Sequence, residues 1–195
     1  MAMQHFNVEL HLNRRKKTAA PEELVEDCLK GDTRAQKALY DILSPKMFPV
    51  CIRYMGDRMA AEDVLQDGFV TLFTRLDSYS GQGSLEGWAR KIFVNTALMA
   101  LRRSDVLRAS EDIDAARSIS GDDVSALQRI GYKELEAMIA ALPPGFRTVF
   151  NMYVIEGYSH KEIAEALGIS EVTSRSQLQR ARVLLQKKIT GNDAR

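Results

Sequence analysis

The sequence predicts an all-α protein made of two small helical domains joined by a flexible linker. Three observations support this prediction. Apolar residues recur at helical spacing along most of the chain, and no stretch shows the sustained alternation typical of strands. Residues that start and stop helices separate these segments. Between residues 104 and 130 the periodicity weakens, and small polar and acidic residues predominate, as is typical of a linker.

The first predicted domain spans residues 21–103 and follows an N-terminal extension, residues 1–20, to which we assign no role. The segment "PEELVEDCLKG" predicts a helix that begins at Pro21 and stops at Gly31. Its spacing predicts these buried side chains: Leu24, Val25, Cys28 and Leu29.

Four further helices are predicted in this domain. "DTRAQKALYDIL" is the second, and a third begins at Ser44, runs to about Tyr54 and should be kinked by Pro49. "MAAEDVLQDGFVTLFTRL" is the fourth. After the loop "DSYSGQGS", the fifth runs from Leu85 to about Arg103.

The second predicted domain spans residues 131–190. "YKELEAMIAAL" and "FRTVFNMYVIEG" each carry one apolar stripe, and "PPG" turns the chain between them. Ser159 then caps a helix start, with Glu162 completing a capping box. Gly168 ends that helix and Ser170 caps the next, so the segment predicts a helix-turn-helix.

The second helix of this motif has one apolar and one polar face. Leu178, Ala181 and Leu185 define the buried side. The other side carries Val172, Thr173, Ser176, Gln179 and Arg180, with Arg175 and Arg182 at its flank. Hydrogen-bonding groups and cations on one face favour a recognition helix in a DNA major groove over a solvated basic helix end. His160 is interpreted as an exposed residue at a helix start.

The fourth helix of the first domain presents an acidic face. Its outward residues are Asp63, Gln66, Asp67 and Val70. Asp63 and Asp67 are four residues apart, a like-charge spacing that costs a few tenths of a kcal/mol in an isolated helix. A basic partner would offset that repulsion. From spacing alone, an ordinary solvated face is the favoured interpretation.

The fifth helix is apolar nearly all round, and its polar strip carries Lys91, Asn95 and Arg102. With the flanking cations and the preceding loop, this strip could hold single-stranded nucleic acid, since unstacked bases insert and cations hold the phosphates. The additional residues of that surface are Arg90, Arg103, Ser80, Gly81, Gln82, Gly83 and Ser84. Trp88 is interpreted as a core residue.

These motifs together resemble the extracytoplasmic-function (ECF) sigma factors of bacteria, which contain only sigma regions 2 and 4. "AEDVLQDGFVTLF" resembles the region 2 helix that binds the polymerase β′ clamp helices, and "WARKIFVNTALMALRR" resembles the helix that meets the minus-10 element. "LPPGFRTVFNMYVIEGYSHKEIAEALGISEVTSRSQLQRAR" resembles region 4, which reads the minus-35 element.

The resemblance implies a function and a residue assignment. The chain would be a non-enzymatic subunit that directs core RNA polymerase to promoters. Residues implied for polymerase binding are Asp63, Gln66, Asp67 and Val70. Those for the minus-10 strand are Ser80, Gln82, Ser84, Lys91, Asn95, Arg102 and Arg103, and those for the minus-35 duplex are Thr173, Arg175, Ser176, Gln179, Arg180 and Arg182.

Its implied partners are the polymerase core (the β′ clamp helices and the β subunit), promoter DNA and an anti-sigma factor, and we expect a monomer when the chain is free. The family pattern has glycine, valine and a basic residue where this chain has Val172, Ser174 and Gln177, and glutamate where it has Asp67. Its base preference therefore cannot be copied from other members.

Composition and motifs exclude several classes. The 195 residues are 45% hydrophobic with a net charge of +1. The chain lacks a run of the roughly 20 apolar residues that a membrane span needs, and its N-terminus lacks the order of a secretory signal, so we expect a cytoplasmic protein without membrane insertion. The only cysteines, Cys28 and Cys51, and the absence of a P-loop or nucleophile motif predict no disulfide, no metal, no cofactor and no enzyme.

Two alternatives remain open at the level of the residues. One is a conventional helix-turn-helix regulator whose first domain senses a ligand or dimerises; it would bind a palindromic operator and not polymerase. The other is a helical interaction protein that binds a partner through the acidic face, in which case the helix-turn-helix would be incidental.

Overall fold

The computed structural model describes residues 20–103 and 131–190, and every regular element within those two ranges is a helix or a helical turn. The all-α prediction is therefore confirmed for them. The predicted linker and nearly all of the N-terminal extension lie outside the described residues. The main helices are α1 (Val25–Leu29), α2 (Thr33–Met55), α3 (Arg58–Thr74), α4 (Leu85–Arg103), α5 (Tyr132–Ala140), α6 (Pro144–Phe150), α7 (His160–Leu167) and α8 (Glu171–Ile189).

Helices α2, α3 and α4 pack against one another and form the body of the first module, residues 20–103. Asp32 caps α2 by accepting a hydrogen bond of 2.7 Å from the backbone N–H of Arg34. Glycine at position 68 is required for the approach of α3 to α4, because a Cβ there would lie 2.4 Å from the Phe93 ring. Both cysteines of the chain are buried and free.

Two predictions about this module are wrong. Ser44 does not start a third helix, because α2 continues from Thr33 to Met55 through Pro45 and Pro49. Both prolines lie on the exposed side of α2, where water can reach the carbonyl groups that lose their N–H partner. Leu29 is 52% exposed and not buried, because the five-residue α1 ends there; Cys28 is buried, and Leu24 and Val25 are partly buried against the core.

The second module, residues 131–190, contains the helix-turn-helix as predicted. Ser159 and Glu162 form both halves of a capping box at the start of α7. Gly168 ends α7 in the left-handed conformation with φ of 68°. Ser170 caps α8 by accepting a hydrogen bond of 2.9 Å from the backbone N–H of Thr173. The local core is made of Ile139, Leu142, Phe146, Ala181 and Leu185.

Helix α6 does not end in an ordinary turn. It passes at Asn151 into one turn of π-helix, Asn151–Ile155, which leads to Glu156 and the loop before α7. This turn has Asn151 and Met152 on its buried side. Wide turns of this kind occur often at functional sites.

The two modules pack together. Val149, Met152, Ile163 and Leu178 of the second module belong to the same apolar cluster as the core of the first. Arg147 crosses the boundary: its guanidinium donates to the backbone oxygens of Tyr54 (3.0 Å) and Met55 (2.8 Å) in the first module, and to those of Ala140 (2.7 Å) and Leu142 (3.2 Å) in the second. Burial lowers the pKa of Arg147.

Gly56 makes room for this contact. It ends α2 with φ of 71°, and a Cβ at this position would stand 2.3 Å from Nη1 of Arg147. None of the helices in residues 20–103 or 131–190 is long and apolar enough to cross a bilayer.

Candidate functional site

Helix α3 presents the predicted acidic face to solvent. Asp63, Gln66, Asp67 and Val70 are all exposed, and Val70 is 67% exposed although it is apolar. The opposite side of α3 is buried through Val64, Leu65, Phe69 and Leu72. An exposed apolar side chain among carboxylates suits a protein partner that supplies both apolar and basic groups.

A groove of about 330 Å³ separates this face from α4. Asp67 and Val70 line it from α3, and Asn95, Met99 and Arg103 line it from α4. Met99 is 50% exposed there. The structure therefore brings part of the predicted polymerase-binding set beside part of the predicted minus-10 set.

The loop before α4 is held by local hydrogen bonds. The Tyr79 hydroxyl donates to the Gly83 backbone oxygen at 2.7 Å, and Gly81 and Gly83 adopt positive φ of 73° and 80°. Ser80, Gln82 and Ser84 are exposed, as a nucleic-acid contact requires. Ser84 also accepts a hydrogen bond from the Gly87 N–H at 3.1 Å, so it helps to start α4.

A distant carboxylate also contributes to the start of α4. Glu22 accepts a hydrogen bond of 2.9 Å from the backbone N–H of Leu85, and this contact lowers the pKa of Glu22. Trp88, in the first turn of α4, is half-buried and lies 5.6 Å from the Tyr79 ring. It packs against the apolar core, as predicted.

The polar side chains of α4 differ in their exposure. Lys91, Asn95, Arg102 and Arg103 are exposed. Arg90 is half-buried, and its guanidinium holds the carboxylate of Glu156 from the second module, with Nε 2.8 Å from Oε2. Lys91 lines the cleft next to that ion pair.

Helix α8 exposes most of the predicted DNA-reading set, namely Val172, Arg175, Ser176, Gln179 and Arg182. Two members are half-buried. The Thr173 hydroxyl lies 2.9 Å from that of Ser170, within the helix cap, and the Arg180 guanidinium lies 5.9 Å from the centre of the buried Phe146 ring. Their reach toward a duplex is therefore more restricted than that of their neighbours.

Two departures from the family pattern point into the protein and not toward solvent. Ser174 is fully buried and Gln177 is 4% exposed. Neither side chain can touch a base edge from such a position. Of the three departures in α8, only Val172, at 72% exposure, lies on the outer face.

The prediction that His160 is a merely exposed helix-start residue is wrong. Its ring is half-buried, lies 4.5 Å from the Tyr153 ring, and places Nδ1 2.9 Å from the Ser174 hydroxyl. Burial lowers the pKa of His160, and the nearby charge of Arg175 lowers it further. Sequence spacing within α7 carried no signal of this contact, because its partner lies on α8.

Comparison with known proteins gives two family matches in the order seen here. Sigma-70 region 2 matches residues 39–106, and Sigma-70, region 4 matches residues 132–185. The ECF sigma factor SigE of Mycolicibacterium smegmatis is 32% identical over 164 residues, which cover 80% of this chain and 63% of that protein. The RNA polymerase sigma-H factor of Pseudomonas aeruginosa is 29% identical over 177 residues, which cover 85% of this chain and 92% of that protein.

Solved structures are similar at lower identity. CnrH, in complex with the cytosolic domain of CnrY, is 20% identical with a TM-score of 0.47 over 89% of this chain and 99% of that one. The sigma factor RpoE of Bartonella quintana, in complex with the anti-sigma factor NepR, is also 20% identical with a TM-score of 0.47, over 80% and 97%.

The chain belongs to the ECF sigma factors of RNA polymerase, with sigma-70 regions 2 and 4, a family of non-enzymatic proteins that direct promoter-specific transcription initiation. Within the described residues, no group of three or more His, Cys, Asp or Glu side chains is placed to hold a metal ion.

Proposed function

We propose that the two modules divide promoter recognition between them. The first module binds core polymerase through the exposed face of α3. It also binds the melted minus-10 strand through α4 and the preceding loop. The second module reads the minus-35 duplex with α8. The observation that carries this proposal is that most residues of the three sets are solvent-exposed, while the apolar residues of the same helices form the cores.

The minus-35 assignment rests on the shape and chemistry of α8. A helix held by caps at a helix-turn-helix can enter a major groove, and its N-terminal half then faces the bases. Gln179 and Ser176 offer hydrogen-bonding groups, and Arg182 offers a cation for phosphate. Arg175 is paired with Glu171 at 2.8 Å in the free chain, so this carboxylate competes with DNA for its guanidinium.

The polymerase assignment rests on the exposed α3 face. Asp63 and Asp67 repel each other there, and a basic partner would turn that cost into attraction. The β′ clamp helices are the expected partner for this face, and the β subunit is the expected further contact of the holoenzyme. Since part of the DNA affinity would come from polymerase, the modest net charge of +1 is sufficient.

An anti-sigma factor that covers these surfaces is part of the proposal. It rests on family membership. We propose that the chain is a monomer in the cytoplasm when it is free of polymerase.

The experiment that tests the proposal is in vitro transcription with core polymerase and a promoter library. Initiation should depend on the chain and select two separated elements. A paired Asp63→Asn and Asp67→Asn variant should lose polymerase binding, whereas Arg175→Ala should bind polymerase but change or weaken minus-35 selection. Glu165→Gln, which removes one exposed carboxylate from α7, serves as the control for the loss of a surface charge. The proposal would be contradicted if initiation with the wild-type chain did not depend on the promoter sequence. Tight binding of the chain to an operator in the absence of polymerase would also contradict it.

A further inference from the structure

The boundary between the modules contains a buried carboxylate held by two guanidinium groups. The Glu156 side chain is 7% exposed. Its Oε1 is 3.0 Å from Nη2 of Arg53 and 3.1 Å from Nη2 of Arg90, and its Oε2 is 2.8 Å from Nε of Arg90. Arg90 therefore presents its planar fork to both oxygens, the geometry by which arginine also holds phosphate.

This cluster lies over the helix assigned to the minus-10 strand. Arg90 directly precedes Lys91 on α4, and a cleft of about 340 Å³ beside them is lined from the other module by Glu156, Gly157 and Tyr158. The loop that follows the π-helical turn thus covers the N-terminal half of α4. A DNA strand that lies along α4 would meet this loop.

Docked modules cannot serve both promoter elements at once. The minus-10 and minus-35 elements are about 25 base pairs apart by name, which is roughly 85 Å of duplex at about 3.4 Å per base pair. A compact chain of this length is only about 40 Å across. The modules must therefore separate before both elements can be held, and the contacts of Glu156 must break.

The interface also carries polar groups that separation would relieve. Within the described residues, Nε of Arg53, Oη of Tyr54 and Oδ1 of Asn151 are buried without a hydrogen-bond partner. All three lie at this boundary, where Nδ2 of Asn151 donates to the Arg53 backbone oxygen at 2.8 Å. Buried polar groups without partners oppose docking, so the docked state is held less firmly than its apolar contacts suggest.

We propose that Glu156 occupies, in the docked chain, an anion site on Arg90 that takes a phosphate of the melted promoter strand once the modules separate. Arg90 is then a further DNA-binding residue. Glu156, in the same chain, competes with the DNA phosphate for the Arg90 guanidinium. Arg53 donates to the same Oε1 that Arg90 contacts, and it adds to the stability of the docked state. The inference rests on the proposed function, because it takes single-stranded promoter DNA as the ligand.

The test measures binding of a labelled 12-nucleotide single-stranded DNA to the full chain at several salt concentrations. Glu156→Gln should raise the affinity roughly fivefold and increase the radius of gyration measured by small-angle scattering. Arg90→Gln should lower the affinity of the Glu156→Gln chain and reduce its salt slope by about 0.7. The double variant should bind no better than Arg90→Gln alone. Glu165→Gln, which removes one exposed carboxylate from α7, should leave the radius unchanged.

The inference fails if Glu156→Gln leaves the affinity unchanged, or if its gain persists without Arg90. Glu156→Asp keeps the charge on a shorter side chain and should give an intermediate gain; circular dichroism of each variant separates opening from unfolding. Wild-type transcription from a promoter library reports on sigma activity independently. If the wild type initiates transcription but Glu156→Gln gains no affinity, this inference fails and the proposed function stands; if the wild type does not initiate, the proposed function fails.

Discussion

His160 and Ser174 are hydrogen-bonded across the helix-turn-helix, with Nδ1 of the imidazole 2.9 Å from Oγ of the hydroxyl. Ser174 is fully buried on the recognition helix, and His160 is at the first position of the preceding helix. A buried hydroxyl is tolerated where it has a partner. The serine that replaces the apolar residue of the family pattern and the histidine therefore depend on each other.

The first prediction is energetic coupling between these two residues. His160→Ala should destabilise the chain by about 1–2 kcal/mol, because it leaves the Ser174 hydroxyl buried without its partner. Ser174→Val should cost less, since it removes the polar group and fills the space. In urea unfolding, the double variant should lose less than the sum of the single variants, with a coupling of roughly 1 kcal/mol. Additive losses would show that the contact contributes nothing.

The second prediction concerns pH. Because the pKa of His160 is lowered from 6.5 in the folded chain, the unfolded chain takes up its proton first on acidification. The contribution of neutral His160 to the free energy of unfolding is thus fully present above pH 6.5. It should fall as the pH drops from 6.5 toward the pKa of His160 in the folded chain. His160→Gln should lose this segment of the pH profile of the melting temperature. An unchanged profile in the variant would contradict the assignment.

The third prediction concerns Gly68 in α3. Alanine is favoured over glycine in a helix by about 1 kcal/mol, but a Cβ at this position would lie 2.4 Å from the Phe93 ring. We expect the clash to dominate, with Gly68→Ala lowering the free energy of unfolding by roughly 1–3 kcal/mol. Gly131→Ala, at a position where a Cβ meets nothing within 4 Å, is the control. Thermal unfolding of both variants decides the point, and a stabilised Gly68→Ala chain would show that α3 and α4 are further apart.

The fourth prediction concerns base preference. Val172 is 72% exposed at the start of the recognition helix, where an apolar side chain can contact a thymine methyl group. Val172→Ala removes two methyl groups, and even one lost methyl contact is worth about 0.8 kcal/mol, so the preference for thymine at one minus-35 position should fall by about fourfold. Gln177→Ala, at a buried position on the same helix, should leave the selected sequence unaltered.

Most of the helix-turn-helix could be predicted from the sequence, because its signals are local. The capping box of Ser159 and Glu162 lies within one helical turn, and Gly168 is one of few residues that adopt positive φ at low cost. The exposed faces of α3 and α8 followed from helical periodicity for the same reason. The prediction that a new helix starts at Ser44 was wrong. Proline disfavours a continuous helix locally, but α2 buries side chains along its whole length, including Leu43, Met47 and Val50, and this packing keeps it helical.

The candidate site was predictable only in part. The outward positions of Asp63, Asp67 and Arg175 depend on a single helix and were predicted correctly as exposed. The interior positions of Ser174 and Gln177 depend on how α7 and α6 pack against α8. Comparison with the family pattern identified both residues as unusual and linked them to base preference. Buried side chains cannot affect base preference by direct contact.

By itself, the sequence determined the helical fold, the helix-turn-helix and the family, because caps, turns and apolar stripes act within a few residues of each other. Only the tertiary structure decided what joins the modules. Arg53, Arg90 and Glu156 are separated by up to 103 positions in the chain, yet their charges meet within about 3 Å. Such a contact depends on the relative placement of three elements. Because a charged residue looks the same in sequence whether water or an opposite charge surrounds it, the pairing became visible only in the folded chain.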